Sequence, residues 1–278
     1  MMKQKGCQTE YDTLKTVLLC EPDYMKIEEA INDTQEHYKE ENIKVEKAKR
    51  QHEALVSTLK REQIDVHLLP ARKDYPEQVF TRDIGFTIDD TIYVGALKRT
   101  IRQGEEKVLK QFLEDHEYSY TEVEGGTIEG GDVIIDGSHI YVGDSSRTSR
   151  LTVDQLRAAH PNHEIHLIKF DEKYLHLDCV FNPLSNNTAL IYPEAIDDEA
   201  VRLLEERYQL IEVSEEEQFT LATNVLSIGN KKVIALPLNK ETNAKIKESG
   251  FEIIEVDLSE IIKSGGAFRC VTLPLYRK

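Results

Sequence analysis

Four short segments of the sequence carry side chains suited to covalent or acid–base chemistry, and each stands just before an apolar, strand-like run. Cys270 follows a glycine pair, and His176 lies two residues before Asp178. The other two segments are Glu129-Gly130-Gly131-Asp132 and Phe80-Thr81-Arg82-Asp83. Catalytic groups are often found where a flexible loop meets a rigid strand. We therefore treat the four segments as candidate parts of one site.

A thiol, an imidazole and several carboxylates together suit attack on a guanidinium group. Carboxylates in a cleft repel one another unless a cation lies between them, and a planar guanidinium can donate hydrogen bonds to acids on two sides. Its charge favours a thiolate at Cys270, which would attack the central carbon. His176, oriented by Glu129, would protonate the departing nitrogen and then activate water. Asp83 and Asp178 would hold the guanidinium nitrogens.

Each segment alone also has a plainer interpretation. A single cysteine is usually a small buried apolar residue, and Glu-Gly-Gly-Asp is usually a turn with solvated acids. In an extended backbone Cys179 points away from His176 and Asp178, so we expect it to pack in the core. His176, Asp178 and Glu129 could bind a metal, but the sequence has no HxxxH pair and no Cys/His ligand set. We expect neither a metal nor a cofactor.

The spacing of the segments follows a repeat of strand, tight turn, strand, helix and strand. Complete copies begin near residues 85, 132, 179 and 224, with Asn, Asp or Gly at their turns. A fifth copy is split between the chain ends, with 271–275 as its first strand and 16–20, 45–60 and 65–69 as the remainder. Five copies closed by the N- and C-terminal strands predict a ring. The alternative is a generic α/β sandwich with an accidental period.

The ring would bring the candidate residues together, because each precedes the first strand of a copy, and Asn224 holds the remaining junction. Thr152-x-x-Gln155 predicts a capping box, and Gly250 predicts a left-handed residue after a helix. The helical stretch 25–60 either forms a lid over the site or covers a sheet edge. No linker divides the chain, so we expect a single α/β catalytic domain spanning residues 1–278.

Composition limits the classes of partner. The formal net charge of -16 argues against nucleic acid, fits a small cationic substrate and is also common in soluble proteins. The sequence has no apolar run of about 18 residues, so no membrane span is expected. The N-terminus has no apolar signal core. Four cysteines without CxxC spacing favour a reduced, cytoplasmic setting. Homo-oligomer formation cannot be read from the sequence.

These segments, taken in order, resemble the guanidine-modifying (pentein) superfamily, which includes dimethylarginine dimethylaminohydrolases, arginine deiminases and arginine:glycine amidinotransferases. The matching segments span most of the chain: Phe80–Asp83, Glu129–Asp132, Ser145–Thr148, Leu175–Asp178 and Gly265–Cys270. The resemblance implies a five-bladed α/β propeller with pseudo-fivefold symmetry.

The same resemblance implies a covalent thiouronium intermediate on Cys270, with His176 as acid and base and Glu129 as its partner. It also implies that Asp83 and Asp178 bind the guanidinium. Arg147 would hold the carboxylate of an amino-acid substrate. From the matching segments we add two further residues to the expected substrate-binding set: Arg82 and Asp132.

The subfamily is less clearly marked. The chain length resembles the dimethylargininases, because bacterial arginine deiminases carry an extra helical domain. The Phe-Thr-Arg-Asp segment and the aspartate two residues after His176 look more like deiminases and amidinotransferases. The leading expectation is hydrolysis of dimethylarginine to citrulline and dimethylamine. Deimination of arginine or another guanidine, and amidino transfer, remain alternatives.

Two other classes of protein share part of this pattern. A catalytically silent propeller that binds arginine-like ligands would share the same fold. A papain-like peptidase also uses cysteine and histidine. An acyl-transfer site needs hydrogen-bond donors for an oxyanion, however, and would not explain the converging acids.

Overall fold

The computed structural model describes residues 4–278, so the first three residues of the predicted domain lie outside the described range. Within that range the strands form five separate three-stranded sheets. The strands, in chain order, are β1 (Leu14–Cys20), β2 (Asp65–Leu69), β3 (Gly85–Ile88), β4 (Thr91–Val94), β5 (Tyr120–Glu122), β6 (Val133–Asp136), β7 (His139–Asp144), β8 (Glu164–Lys169), β9 (Phe181–Ser185), β10 (Thr188–Ile191), β11 (Gln209–Glu212), β12 (Leu226–Gly229), β13 (Lys232–Ala235), β14 (Glu252–Glu255) and β15 (Leu273–Arg277).

Every sheet has the same internal order. Its middle strand pairs antiparallel with the first strand of the repeat and parallel with the third. The fifth sheet joins the chain ends in the order β15-β1-β2. The five-part repeat predicted from the sequence, with its last copy shared by both termini, is therefore confirmed. None of the five sheets in residues 4–278 closes on itself.

Five helices connect a middle strand to the parallel third strand, and two short helices, α1 and α6, lie outside the repeat. The described helices are α1 (Asp33–Tyr38), α2 (Val45–Arg61), α3 (Glu105–Asp115), α4 (Arg150–Ala159), α5 (Asp198–Glu205), α6 (Glu215–Phe219) and α7 (Lys240–Glu248). No helix in residues 4–278 combines the length and the apolar character that crossing a membrane requires.

The helix-end predictions had different outcomes. Gly250 follows α7 in the left-handed conformation, with φ +88°, as predicted. The capping box at Thr152 was wrong, because α4 begins earlier. Its N-cap is Ser149, whose side chain accepts a hydrogen bond from Thr152 N. Gln155 instead donates to Glu124 O at 2.8 Å, outside the helix.

The hairpin turns mostly follow the predicted chemistry. Asp89, Gly137 and Asn230 adopt positive φ values of 49°, 59° and 52°, which these residue types tolerate best. The Asn186-Asn187 turn contains no left-handed residue. First strands such as β3, β6, β9 and β12 are almost fully buried, whereas third strands such as β5 and β14 are largely exposed.

The first strand of every repeat begins one to three residues after a polar or thiol side chain. These five positions are Asp83, Asp132, Asp178, Asn224 and Cys270. The repeat therefore delivers one chemically useful segment per sheet, each at the same place relative to its strand.

Candidate active site

His176 is fully buried between two carboxylates from different sheets. Its Nε2 lies 2.7 Å from Oε2 of Glu129, within hydrogen-bond distance. Its Nδ1 lies 3.5 Å from Oδ1 of Asp83. Neither His176 Nδ1 nor Asp83 Oδ1 makes a hydrogen bond, although both atoms are buried. Unpaired buried polar atoms that face each other mark a place where a polar ligand group would be stabilised.

The environment of His176 favours an imidazolium–carboxylate pair. Burial alone would lower the pKa of His176, but Asp83, the hydrogen bond to Glu129 and the charge of Asp132 raise it to about 10. Burial alone would raise the pKa of Glu129, but the hydrogen bond and charge of His176, with Arg147, lower it to about 2. At neutral pH His176 is therefore protonated, and its Nδ1–H is free to serve as an acid.

The backbone around His176 is unusual on both sides of the ring. A Cβ atom on Gly131 would lie 2.7 Å from His176 Nδ1, so only glycine fits there. Leu175 has φ 65° and ψ -67°, and the His176 N–H donates to Tyr174 O at 2.7 Å. This is a γ-turn that is strained for a non-glycine residue. Such strain is typical of functional sites, and here it fixes the direction of the imidazole.

Asp132 is engaged by three donors of the protein. Its Oδ1 accepts the Leu177 N–H at 3.1 Å, and its Oδ2 accepts the hydroxyls of Ser145 at 2.5 Å and Thr148 at 2.7 Å. Burial raises its pKa to about 6, against the lowering effect of His176 and of these donors. Substrate contact by Asp132 stays a prediction, and its hydrogen bonds favour a role in holding the loop that carries His176.

Cys270 is 2% exposed, and its Sγ lies among polar partners. Asp178 Oδ1 and Oδ2 are 3.9 and 4.0 Å from the sulfur. The Sγ atoms of Cys270 and Cys179 lie within 4.8 Å of each other. Cys179 packs in the hydrophobic core as expected, but the expectation that it points away from the site was wrong. Residues Leu177–Cys179 form a 3₁₀ turn rather than an extended strand, so the alternation of side chains does not apply.

Asn224 connects the cysteine loop to the neighbouring acidic segment. Its Oδ1 accepts the backbone N–H groups of Ala267, Arg269 and Cys270 at 3.2, 3.1 and 3.3 Å. Its Nδ2 donates to Cys270 Sγ at 3.3 Å and to Asp178 O at 3.1 Å. The sequence repeat predicted that Asn224 lies at the junction before a first strand, but it did not indicate a function for this residue.

Asp178 is fully buried next to Arg269, whose Nε lies 3.5 Å from Asp178 Oδ2. Burial raises the pKa of Asp178, with Arg269 opposing and Asp83 adding to the shift. Arg82 lies on the far side of this group. Its guanidinium is 3.6 Å from Glu10 and its Nε donates to Thr272 O at 3.1 Å. Its predicted contact with substrate is untested, and its side chain makes no hydrogen bond to His176 or Cys270.

Arg102 holds Asp83 from behind, and no sequence motif marks this arginine. Its Nη1 lies 2.5 Å from Asp83 Oδ2 and its Nη2 lies 2.8 Å from Glu105 Oε2. Burial raises the pKa of Glu105 to about 7, against the effect of Arg102. One oxygen of Asp83 is thereby occupied, and only Oδ1 remains free.

Part of the stretch 25–60 covers this site. Arg147 connects the covering segment to the site. Its Nη1 donates a hydrogen bond to Glu129 at 3.2 Å, and its Nη2 donates one to Ile31 O at 3.1 Å. Asn32 Nδ2 donates to Ser264 O at 3.1 Å, and Gln35 Nε2 bonds Ser264 Oγ at 3.1 Å. The second half of the stretch, α2, is the crossover helix of the β15-β1-β2 sheet.

A cavity of about 310 Å³, here called the mouth cavity, lies beside the covering segment. It reaches the cysteine loop at Cys179 and Gly265, and it is bounded by Asn32, Leu175 and Phe219. The mouth cavity therefore adjoins residues on both sides of the buried thiol.

Comparison with known proteins gives concordant matches. The family model described as N,N dimethylarginine dimethylhydrolase, eukaryotic, matches residues 21–277. YkgA of Bacillus subtilis (strain 168) is 52% identical over 271 residues, covering 98% of this chain and 95% of that protein. The N(G),N(G)-dimethylarginine dimethylaminohydrolase of Pseudomonas aeruginosa is 29% identical, covering 82% and 88% of the two chains.

Among solved structures, the product-bound N-terminal domain of ArgZ, an arginine dihydrolase of cyanobacteria, superposes with a TM-score of 0.86. Its sequence is 28% identical to this chain, and the match covers 96% of this chain and 98% of that one. The matches in sequence and in structure thus extend over nearly the same residues as the five-part repeat.

Proposed function

Because the chain belongs to the dimethylarginine dimethylaminohydrolase family, we propose that it hydrolyses a C–N bond in the guanidinium group of an arginine-like substrate, with Cys270 as nucleophile. The single observation that carries the proposal is the arrangement around His176. Its free Nδ1 faces the free Oδ1 of Asp83. Asp178 interacts electrostatically with both of these residues and lies 3.9 Å from the Cys270 sulfur.

Binding uses carboxylate oxygens of Asp83 and Asp178. Asp83 offers its Oδ1, which makes no hydrogen bond, and Asp178 offers its oxygens beside the Cys270 sulfur to N–H groups of the guanidinium. The charge of the substrate relieves the repulsion between the two buried carboxylates. It also stabilises the thiolate of Cys270 next to Asp178. Arg147 lies at the covering segment, where it is placed to bind the substrate carboxylate once that segment opens.

The chemistry proceeds in two displacements. The Cys270 thiolate forms a bond to the guanidinium carbon, and the departing amine takes a proton from His176 Nδ1, which leaves a thiouronium on sulfur. One proton of a water molecule then passes to His176, and the water oxygen bonds the same carbon. The C–S bond breaks and the second proton of the water leaves to solvent, which returns the thiolate and releases a ureido product. Glu129 orients the imidazole through both steps and stabilises its protonated form.

Dimethylarginine is the preferred substrate, giving citrulline and dimethylamine. Membership of the dimethylarginine dimethylaminohydrolase family supports this choice.

Arginine is the second candidate, and it is supported by the likeness to ArgZ, which is an arginine dihydrolase. The same site residues would serve both reactions, because only the departing nitrogen differs. Amidino transfer would require an amine to replace water in the second displacement.

We also propose that the five sheets are the blades of a five-bladed propeller around this site. The common position of the five segments before their first strands supports this arrangement. The mouth cavity is the proposed entry, because it reaches Cys179 and Gly265 beside the nucleophile loop. Entry requires α1 to move, since Cys270 is almost fully covered.

A substrate screen tests the proposal. Arginine, monomethylarginine, dimethylarginines, agmatine and creatine-like guanidines are incubated with the protein, and ureido product and amine are measured separately. Citrulline with dimethylamine supports the first candidate, and citrulline with ammonia supports the second. Product that forms only when a second amine is added identifies amidino transfer. The absence of turnover for every guanidine would contradict the proposal.

A further inference from the structure

Three metal-ligating side chains lie together at the start of β7 and β8, outside the active site. His139 pairs in register with Glu164 across these two parallel strands, and His166 follows two residues along β8. Because successive side chains of a strand alternate between faces, Glu164 and His166 share one face. His139 joins them from the neighbouring strand. Residue spacing along the sequence does not reveal this set, because the set is formed across two strands.

The distances within this set fit a small cation. His139 Nδ1 lies 3.1 Å from His166 Nε2. Glu164 Oε2 lies 3.6 Å from the first nitrogen and 3.8 Å from the second. A point equidistant from these three atoms lies about 2.0 Å from each, which is the usual length of Zn²⁺ bonds to histidine nitrogen and carboxylate oxygen. We propose that His139, Glu164 and His166 bind a divalent transition-metal ion of the zinc class.

The arrangement and exposure of the ligands suit metal binding. The two imidazole rings are stacked, with centroids 5.3 Å apart and planes inclined by 13°. The side chains of His139 and His166 are 18% and 22% exposed, and that of Glu164 is 72% exposed. An ion reaches the set from solvent, and its fourth coordination position remains open to water.

The ion links two strands that are joined in sequence only through α4. Because the three ligands come together only in the folded sheet, bound metal stabilises the folded state in proportion to its occupancy. The inference is independent of the proposed hydrolase activity, since none of the three ligands contacts the active-site residues described above.

A second group with the same donor types provides a matched comparison. His163 Nε2 and His160 Nδ1 lie 3.5 and 3.8 Å from Asp89 Oδ2. His160 Nε2 is also 2.8 Å from the Tyr93 hydroxyl. Two active-site groups also have ligand atoms within 4.8 Å of one another, namely Asp178 with Cys179 and Cys270, and Asp83 with Glu129 and His176. An experiment must therefore distinguish four locations among the described residues.

Titration of the full chain with Co²⁺ makes this distinction. The active-site thiols are first alkylated with iodoacetamide. We expect the visible bands of tetrahedral Co²⁺ in wild-type protein, and at least about 10-fold weaker binding in His139→Asn and Glu164→Gln. His163→Asn should bind as wild type. Zn²⁺ should displace Co²⁺ and raise the melting temperature of wild-type protein but not of His139→Asn.

Circular dichroism and guanidine turnover establish that the His139→Asn and Glu164→Gln variants remain folded, because neither residue belongs to the active site. Unchanged Co²⁺ affinity in both variants would overturn the proposal. So would loss of binding in His163→Asn, or binding that disappears once the thiols are alkylated. Failure of guanidine turnover in every protein would leave this result unaffected and would concern the proposed function alone.

Discussion

The side-chain nitrogen of Asn224 lies 3.3 Å from the Sγ atom of Cys270, and it donates a hydrogen bond to that sulfur. The oxygen of the same amide accepts three backbone N–H groups of the loop that carries the cysteine. Asn224 thus fixes the nucleophile loop and places a donor against the reacting atom. An N–H donor stabilises a thiolate more than a thiol, so this contact favours the reactive form.

Asn224→Ala should slow the alkylation of Cys270 by iodoacetamide and reduce kcat. A hydrogen bond to a charged group contributes about 1.5–3 kcal/mol, which corresponds to roughly a 10- to 100-fold loss of rate at neutral pH. Rapid-quench alkylation measures the first effect, and steady-state kinetics measure the second.

Asn182→Ala is the matched control. Asn182 is also a buried amide, and it bonds Thr223 O and Val225 O at 2.8 Å, but it makes no hydrogen bond to Cys270. Both variants should lose stability, and only Asn224→Ala should slow the alkylation of Cys270. Equal alkylation rates in the two variants would limit Asn224 to a structural role.

Glu129→Gln should move the alkaline limb of kcat/KM to lower pH. In wild type the pKa of His176 is raised to about 10, and the hydrogen bond and charge of Glu129 contribute to that shift. Removing the carboxylate lowers the pKa of His176, so the imidazolium that protonates the leaving amine is lost sooner as pH rises. A pH–rate profile for wild type, Glu129→Gln and the exposed Glu114→Gln measures the limb. An alkaline limb common to all three proteins would show that His176 is not the acid.

Arg102→Met should destabilise the fold strongly. Arg102 is buried against Asp83 and Glu105, at 2.5 and 2.8 Å. Removing one partner of a buried ion pair leaves uncompensated charge and costs about 3–5 kcal/mol. The exposed pair of Arg150 with Asp144, at 2.7 Å, offers the comparison. Arg150→Met should change the free energy of unfolding by no more than about 1 kcal/mol.

Urea denaturation of both arginine variants measures these differences. A similar small change in each would mean that Arg102 is not needed to hold Asp83. In that case a group other than Arg102 would have to hold the Asp83 carboxylate in place.

The repeat was readable from the sequence because turn residues and apolar runs recur with a constant phase. That phase correctly predicted five three-stranded sheets, of which the fifth is shared by the chain ends. It also placed Asp83, Glu129, His176 and Cys270 before first strands. His176 and Glu129 are distant in sequence, but they occupy similar positions in successive repeats. Their close approach follows from that organisation.

What the sequence could not reveal depends on local geometry or on partners distant in sequence. Cys179 reaches the site because a 3₁₀ turn replaces an extended strand. Arg102 carries no motif, and its importance appears only when Asp83 and Glu105 are seen around it. The strained turn at Leu175 is set by tertiary packing, because leucine has no intrinsic preference for positive φ.

The central claim, that Cys270 forms the covalent bond to carbon, is tested most directly by mass spectrometry. Protein is mixed with dimethylarginine or arginine, quenched in acid during turnover, and digested for peptide mapping. A parallel sample is labelled with chloroacetamidine. We expect one adduct of the substrate minus its departing amine on Cys270, chloroacetamidine labelling of Cys270, loss of both in Cys270→Ala, and retention of both in Cys179→Ala. An adduct on Cys179 that persists in Cys270→Ala would contradict the assignment of the nucleophile.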